Sequence, residues 1–189
     1  MWTVRGLFAQ LCDPAHLERA LALTVRGKRR RPAVAWALFR REALVAELAA
    51  SLADGTWRPR GARLLQIRDP KPRLICCVPI EDRVVHTALV LLLTPTLTRP
   101  LRPGLGAHRA VLSLLRLMRR HRHVLHLDIR AYFPSVDHDI LRGLLAHRVH
   151  DRPFLDVMDR VLETDRGLYD RPEARAWAGL TPDWPPPGR

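Results

Sequence analysis

Apolar residues recur at helical spacing through the first third of the chain. Leu44, Leu48 and Leu52 repeat every fourth residue, which places them on one face of a helix. We predict this helix over residues 40–52, with Asp54-Gly55 as its stop. Two shorter helices are predicted within residues 1–24, separated by Pro14, from the apolar positions Leu7, Leu11, Leu17, Ala20 and Leu21.

Two short runs rich in Leu, Ile and Val, at residues 63–68 and 73–78, predict a pair of β-strands. The four residues between them, Asp69-Pro70-Lys71-Pro72, favour a turn. The pattern therefore predicts a two-stranded hairpin with Lys71 at its tip and Arg73 at its edge. A largely buried helix should follow over residues 81–93, ended by Thr94-Pro95.

The second half mixes helical and strand patterns. Residues 110–118 predict a helix with one apolar face, and residues 124–129 a compact strand in which Asp128 lies near the end. Asp137 is suited to cap a further helix, whose core-facing positions would be Ile140, Leu141, Leu144 and Leu145. A last helix should begin near Pro153. The prolines and glycines of residues 164–189 predict a loop or a disordered tail. This mixture indicates the α+β class.

The charge of the chain narrows the class of partner. The chain contains 32 Lys and Arg residues and 19 acidic residues, which gives a net charge of +13. Its isoelectric point is about 11.3. Such a balance favours a polyanionic partner, although only two of the cations are lysines, which is also typical of a GC-rich coding sequence. The basic run at residues 26–31 is either a solvated linker or a contact to a phosphate backbone. Its candidate contact residues are Lys28, Arg29, Arg30 and Arg31.

Membrane, secretory and metal-cluster functions find little support in the sequence. No apolar run reaches the length of roughly 18 residues that a membrane helix needs, and the N-terminus has no secretory signal pattern. Three cysteines are too few for a disulfide framework, so a reducing cytoplasm is expected. The histidines lack a metal-ligand spacing.

A carboxylate at the end of an apolar strand is costly unless a cation or hydrogen-bond donors offset its burial. The neighbours of Asp128 give it a context, the string Leu127-Asp128-Ile129-Arg130-Ala131-Tyr132-Phe133-Pro134-Ser135-Val136-Asp137-His138. This string resembles the first catalytic motif of reverse transcriptases, particularly the bacterial enzymes of retrons, diversity-generating elements and group II introns. The resemblance implies that Asp128 binds both catalytic Mg²⁺ ions. It also implies that Phe133 lies under the sugar of the incoming nucleotide.

Segments upstream of the string resemble the same family in order and spacing, so that the resemblance covers residues 26–163. The predicted hairpin is similar to the hairpin of the fingers, in which Lys71 and Arg73 would grip the triphosphate of the nucleotide. The segment from Asp82-Arg83 to Leu89 is similar to the helix that follows it. The segment from Pro103 to Ala110 is similar to a glycine-rich turn before the palm, and the link from Thr94 to Gly104 is shorter than is usual in the family.

The resemblance implies an α+β fold, the fingers and incomplete palm of a right-hand polymerase. Its parts would be N-terminal helices (1–25), a fingers-like region (26–122), a partial palm (123–163) and a Pro-rich tail (164–189). The implied partners are an RNA template, a DNA or RNA primer and deoxynucleoside triphosphates. A two-metal site needs further carboxylates, and no Asp-Asp pair occurs in the 189 residues. We therefore expect the chain to be inactive alone, with the remainder of the palm elsewhere or on another chain. Two alternatives stay open, a non-catalytic RNA-binding module and a non-functional relic.

Overall fold

A computed structural model describes residues 3–68, 73–98, 107–121, 123–125, 127, 136–165 and 168. Within these ranges the chain forms helices and one two-stranded sheet. In chain order the elements are α1 (Leu7–Leu11), α2 (Pro14–Val25), α3 (Pro32–Phe39), α4 (Arg41–Ala53), β1 (Arg63–Ile67), β2 (Arg73–Cys77), α5 (Ile80–Thr98), α6 (Ala107–Met118), α7 (His138–Ala146) and α8 (Arg152–Asp165).

The two predicted N-terminal helices are confirmed as α1 and α2. Pro14 separates them because it occupies the first turn of α2, where its missing N–H is not needed. The Asp13 carboxylate caps this helix by accepting a hydrogen bond from the Ala15 N–H at 3.0 Å. Gly27 follows the C-terminus of α2 with a φ of 73°, a left-handed conformation that glycine adopts without steric cost.

The helix predicted at residues 40–52 is confirmed as α4, and Gly55, with a φ of 73°, follows it as the expected stop. Helix α3 was not predicted. Its sequence from Pro32 to Phe39 is apolar on all sides, so no periodicity marks it out. Val34 and Ala37 are its buried positions.

The predicted hairpin is confirmed for the described residues of both strands. β1 pairs with β2 in antiparallel register, with Leu65 opposite Ile75. The turn that joins them, including Lys71, lies outside the described residues.

Helix α5 extends beyond its predicted end. Thr94-Pro95 was expected to stop it, but the helix continues to Thr98 with Pro95 inside. Proline removes one backbone hydrogen bond and disfavours a helix interior, yet packing outweighs this local preference. Leu93, just before the expected stop, is buried against the core, and the Thr94 hydroxyl donates to the Val90 carbonyl at 2.7 Å.

The core lies where α1, α2, α4, α5 and α8 meet. Helix α2 packs along α5, and the His16 ring nitrogen hydrogen-bonds the Ala88 carbonyl between them at 3.1 Å. Phe154 of α8 is fully buried in this core. Contacts between distant parts of the sequence close the structure: Val4 bridges Val149 in parallel register, and Asp151 accepts a hydrogen bond from the Phe8 N–H at 2.9 Å.

Three expectations for the second half of the chain need correction. Helix α7 is capped by Asp137 as predicted, and Leu145 is buried, but Ile140 and Leu144 are exposed.

Val124, Leu125 and Leu127 are exposed and lie in no strand, while the other positions of the predicted strand lie outside the described residues. A strand needs a partner for its backbone N–H and C=O groups, and the described residues offer none there.

The predicted C-terminal tail begins too early at residue 164. Helix α8 includes Thr164 and Asp165, and Leu168 is buried. The Thr164 hydroxyl donates to the Arg160 carbonyl at 2.8 Å, which accommodates this polar residue within the helix. The other residues of the predicted tail lie outside the described ranges.

Candidate nucleic-acid interface

The residues predicted to carry catalysis are not brought together by the described structure. Asp128, Phe133 and Lys71 lie outside the described residues. Arg73 is described only in its backbone, which opens β2 opposite Ile67. Their roles therefore stay predictions, and the described part of the chain bears on how the hairpin is anchored and on the basic run.

A buried carboxylate anchors the chain just before the hairpin. Asp82, in the first turn of α5, is 2% exposed and accepts a hydrogen bond from the Arg60 N–H at 2.7 Å. The neighbouring Gly61 N–H also bonds to it, and burial raises the pKa of the Asp82 carboxyl despite these donors. Outside this contact, the Arg60 guanidinium pairs with Glu81 at 3.0 Å. Residues 60–61 are thereby fixed to α5 immediately before β1.

Residues 28–31 of the basic run form an ordered turn between α2 and α3. After Gly27, the Lys28 N–H donates to the Val25 carbonyl at 2.9 Å, and the Arg31 N–H donates to the Lys28 carbonyl at 3.0 Å. Arg31 then caps α3, since its carbonyl accepts from the Val34 N–H at 2.9 Å. Backbone hydrogen bonds to α2 on one side and to α3 on the other therefore give the turn a defined conformation.

The four cations of this turn have no acidic partner within the described part of the chain. Arg29, Arg30 and Arg31 are exposed and Lys28 is half-buried, and no ion pair joins them to a described carboxylate. By contrast, Arg40, at the far end of α3, pairs with Glu47 at 2.7 Å. The turn is thus a local concentration of positive charge, which suits a phosphate backbone.

Two aromatic residues beside the turn were missed by sequence reasoning. Trp36 and Phe39 of α3 are 60% and 81% exposed, and their rings stack with centroids 5.7 Å apart and planes inclined by 25°. Trp57, by contrast, is buried in the core, and Trp177 and Trp184 lie outside the described residues. The sequence carries no signal for them, because α3 is apolar on all sides and only its packing distinguishes the face of Val34 and Ala37 from that of Trp36 and Phe39.

The described residues do not supply a complete donor set for a metal ion. Within the described ranges, no group of three His, Cys, Asp or Glu residues could hold an ion, and Asp128 lies outside those ranges. A two-ion centre of the predicted kind needs carboxylates that bridge ions about 3.5–4 Å apart. Asp128 alone does not satisfy that requirement.

Helix length and polarity also bear on a membrane role. Among the described helices, none combines the length and the apolar composition needed to cross a bilayer.

Comparison with known proteins gives a relative that matches part of the chain. No protein-family model matches the sequence. Over 102 residues, which are 54% of this chain, it is 29% identical to an uncharacterized 91 kDa protein in cob intron from Schizosaccharomyces pombe. The chain spans about 12% of the length of that protein. The chain is therefore similar, over about half its length, to part of a protein of a cob intron.

Proposed function

We propose that this chain is the fingers and early palm portion of a reverse transcriptase, and that its own residues bind RNA without completing a site for synthesis. The observation that carries the proposal is the order of motifs. The hairpin of residues 63–77 is followed directly by α5, which opens with Asp82-Arg83, and later by the string from Leu127 to His138. The similarity to a protein of a cob intron supports it, since the family that the sequence resembles includes enzymes of introns.

In this proposal the catalytic assignments follow the resemblance. Asp128 is a metal ligand, Phe133 lies under the nucleotide sugar, and Lys71 and Arg73 bind the triphosphate. Asp128 would help to hold Mg²⁺, whose chemistry in such a site would be the stabilisation of the oxygens in phosphoryl transfer. The remaining carboxylates would come from an Asp-Asp pair, which these 189 residues do not contain.

The described residues support the RNA-binding half of the proposal. The ordered turn of Lys28–Arg31 presents cations that no described carboxylate neutralises, and the whole chain carries a charge of +13. The anchoring of Arg60 and Gly61 by Asp82 gives the hairpin a fixed base. A fixed base suits a hairpin whose tip would bind a triphosphate, because ligand-binding groups need a rigid support. The same features would serve a non-catalytic RNA-binding module, which is the second candidate.

A salt titration tests the claim, common to both candidates, that the chain binds RNA through the turn of residues 28–31. Arg29→Ala combined with Arg30→Ala should weaken binding, and should reduce the slope of log affinity against log salt by about 1.4, since each lost single-strand phosphate contact contributes about 0.7. Arg5→Ala with Arg19→Ala is a matched control. It removes the same charge from exposed positions away from the turn, and should leave more of the slope intact. Equal slopes for the two variants would show that the turn makes no specific contact.

Primer extension separates the two candidates from an active enzyme. With an RNA template, a primer, deoxynucleoside triphosphates and Mg²⁺, the chain is expected to give no product. Mg²⁺-dependent synthesis that Asp128→Ala abolishes would contradict the claim of an incomplete site.

Sequencing further along the same locus separates the two candidates from each other. A longer product with an Asp-Asp pair in a later strand hairpin, preceded by an aromatic residue, would favour the polymerase over the stand-alone module. A non-cooperative melt would instead favour an unfolded relic.

A further inference from the structure

The outer face of α3 carries two large apolar side chains that the fold leaves in water. Trp36 and Phe39 stack on each other, while Val34 and Ala37 are buried. The inner pair fixes the orientation of the helix and so directs the aromatic pair outward. Single exposed apolar residues are ordinary, but a stacked aromatic pair is a preformed flat surface.

The aromatic pair lies next to the basic turn. Arg31 is the N-cap residue of α3, so the Cα atoms of Arg31 and Trp36 are separated along the helix axis by about 7.5 Å, at 1.5 Å per residue. The long Arg side chains can span that distance. Cations without described acidic partners therefore lie within two helical turns of the rings along the chain, and both groups are exposed apart from the half-buried Lys28.

Charge and ring geometry select the occupant of this surface. An apolar protein partner would bury the cations of residues 28–31 without neutralising them, which costs free energy. An anionic bilayer would neutralise them, but interfacial helices insert a broad apolar face, and Trp36 and Phe39 are the only large side chains of α3 that are well exposed. Single-stranded nucleic acid supplies both complements at once. Its bases stack on aromatic rings and its phosphates meet arginines.

We propose that Trp36 and Phe39, with the turn of residues 28–31, form a stacking platform for single-stranded nucleic acid. One or two unpaired bases stack on the rings while flanking phosphates contact Arg29, Arg30 and Arg31. The site tolerates any base, because stacking requires only a flat π-face. This inference rests on the proposed function, that the chain binds RNA, and adds that it distinguishes unpaired from paired segments.

The test compares an unstructured RNA oligonucleotide with a blunt RNA duplex of equal phosphate number. Trp36→Ala should weaken binding to the single strand by about 5- to 150-fold, the range expected for loss of one stacked base. Duplex affinity and the salt slope should change little, since paired bases are not free to stack. Trp36→Phe keeps an aromatic face and should restore most of the affinity. Leu112→Ala, at an exposed apolar position of α6, is the control and should change neither affinity.

Each outcome separates the platform from the proposed function. If Trp36→Ala leaves single-strand binding unchanged while the Arg29 and Arg30 double variant weakens it, the platform is refuted and RNA binding stands. Equal losses on both RNAs would also refute the platform. If the unsubstituted chain binds neither RNA, the proposed function fails. Binding to phosphatidylserine vesicles that Trp36→Ala abolishes, with single-strand binding unaffected, would assign the surface to a membrane instead. A thermal melt of Trp36→Ala should match the parent, because the side chain is exposed.

Discussion

Replacing the buried carboxylate of Asp82 by alanine should destabilise the chain and release the segment that leads into β1. Asp82 is almost fully buried and bonds the Arg60 N–H at 2.7 Å and the Gly61 N–H. Alanine removes both acceptors and leaves two backbone donors without their partner.

The magnitude follows from opposing contributions. A buried donor left unsatisfied costs about 1–3 kcal/mol. The two donors that Asp82→Ala leaves without a partner therefore lower the free energy of unfolding. The raised pKa of Asp82 shows that the donors do not fully offset the burial of the charge, and alanine relieves that cost. We expect a net loss of about 2 kcal/mol in the free energy of unfolding. For a chain of this size this corresponds to a fall in Tm of about 4–8 °C.

Thermal and urea melts of three variants would measure this effect. Asp82→Asn keeps the size and one acceptor oxygen, and should lose less stability than Asp82→Ala at neutral pH. Asp54→Ala is the exposed control. It removes a carboxylate that bonds the Thr56 N–H at 2.9 Å, where water can replace the acceptor. If Asp82→Ala changed stability no more than Asp54→Ala, the proposed anchoring of residues 60–61 would be wrong.

The pH dependence of the stability provides an independent test of the raised pKa of Asp82. Burial raises the folded-state pKa of Asp82 above its usual value. Its favourable contribution is therefore fully present below the unfolded pKa, and is lost as pH rises through the folded pKa. The stability of the parent relative to Asp82→Asn should increase as the pH falls from neutral to about 4. A relative stability that decreased over that interval would contradict the raised pKa.

Two further predictions concern the core and the basic turn. Phe154→Ala should cost about 3–5 kcal/mol in a urea melt, because the ring is fully buried among helices; a loss below about 1 kcal/mol would mean that α8 does not pack as described. Gly27→Ala should cost about 1–2 kcal/mol through its left-handed φ of 73° alone, since no atom lies within 4 Å of the added Cβ. Gly143→Ala, at an equally open but helical position, should instead stabilise by about 0.5–1 kcal/mol. Equal effects of the two glycine substitutions would refute this account of the turn.

Local patterns predicted the elements whose residues obey one clear rule. Helix α4 follows from leucines at every fourth residue, and the hairpin from two β-rich runs around a proline turn. The end of α5 was predicted wrongly, because Pro95 signals a stop only when packing does not compensate for it. Helix α3 was missed because apolar residues on all its sides leave no period to detect.

The candidate interface divides in the same way. The basic run was visible in the sequence, but its two interpretations could be weighed only when hydrogen bonds from Lys28 and Arg31 showed an ordered turn. Trp36 and Phe39 would ordinarily be assigned to a core by their apolar character. Their exposure became evident only from the packing of α3, because the fold determines which side of an apolar helix is covered.

By itself, therefore, the sequence determined the positions of most helices, the hairpin, the excess of positive charge and the resemblance carried by residues 127–138. These depend on spacing, turn chemistry and composition, which act over a few residues. Tertiary structure alone decided the link from Arg60 to Asp82, the bridge between Val4 and Val149, and the exposure of the aromatic pair. Those features join residues far apart in the chain, and their free energy depends on how all the helices share one core.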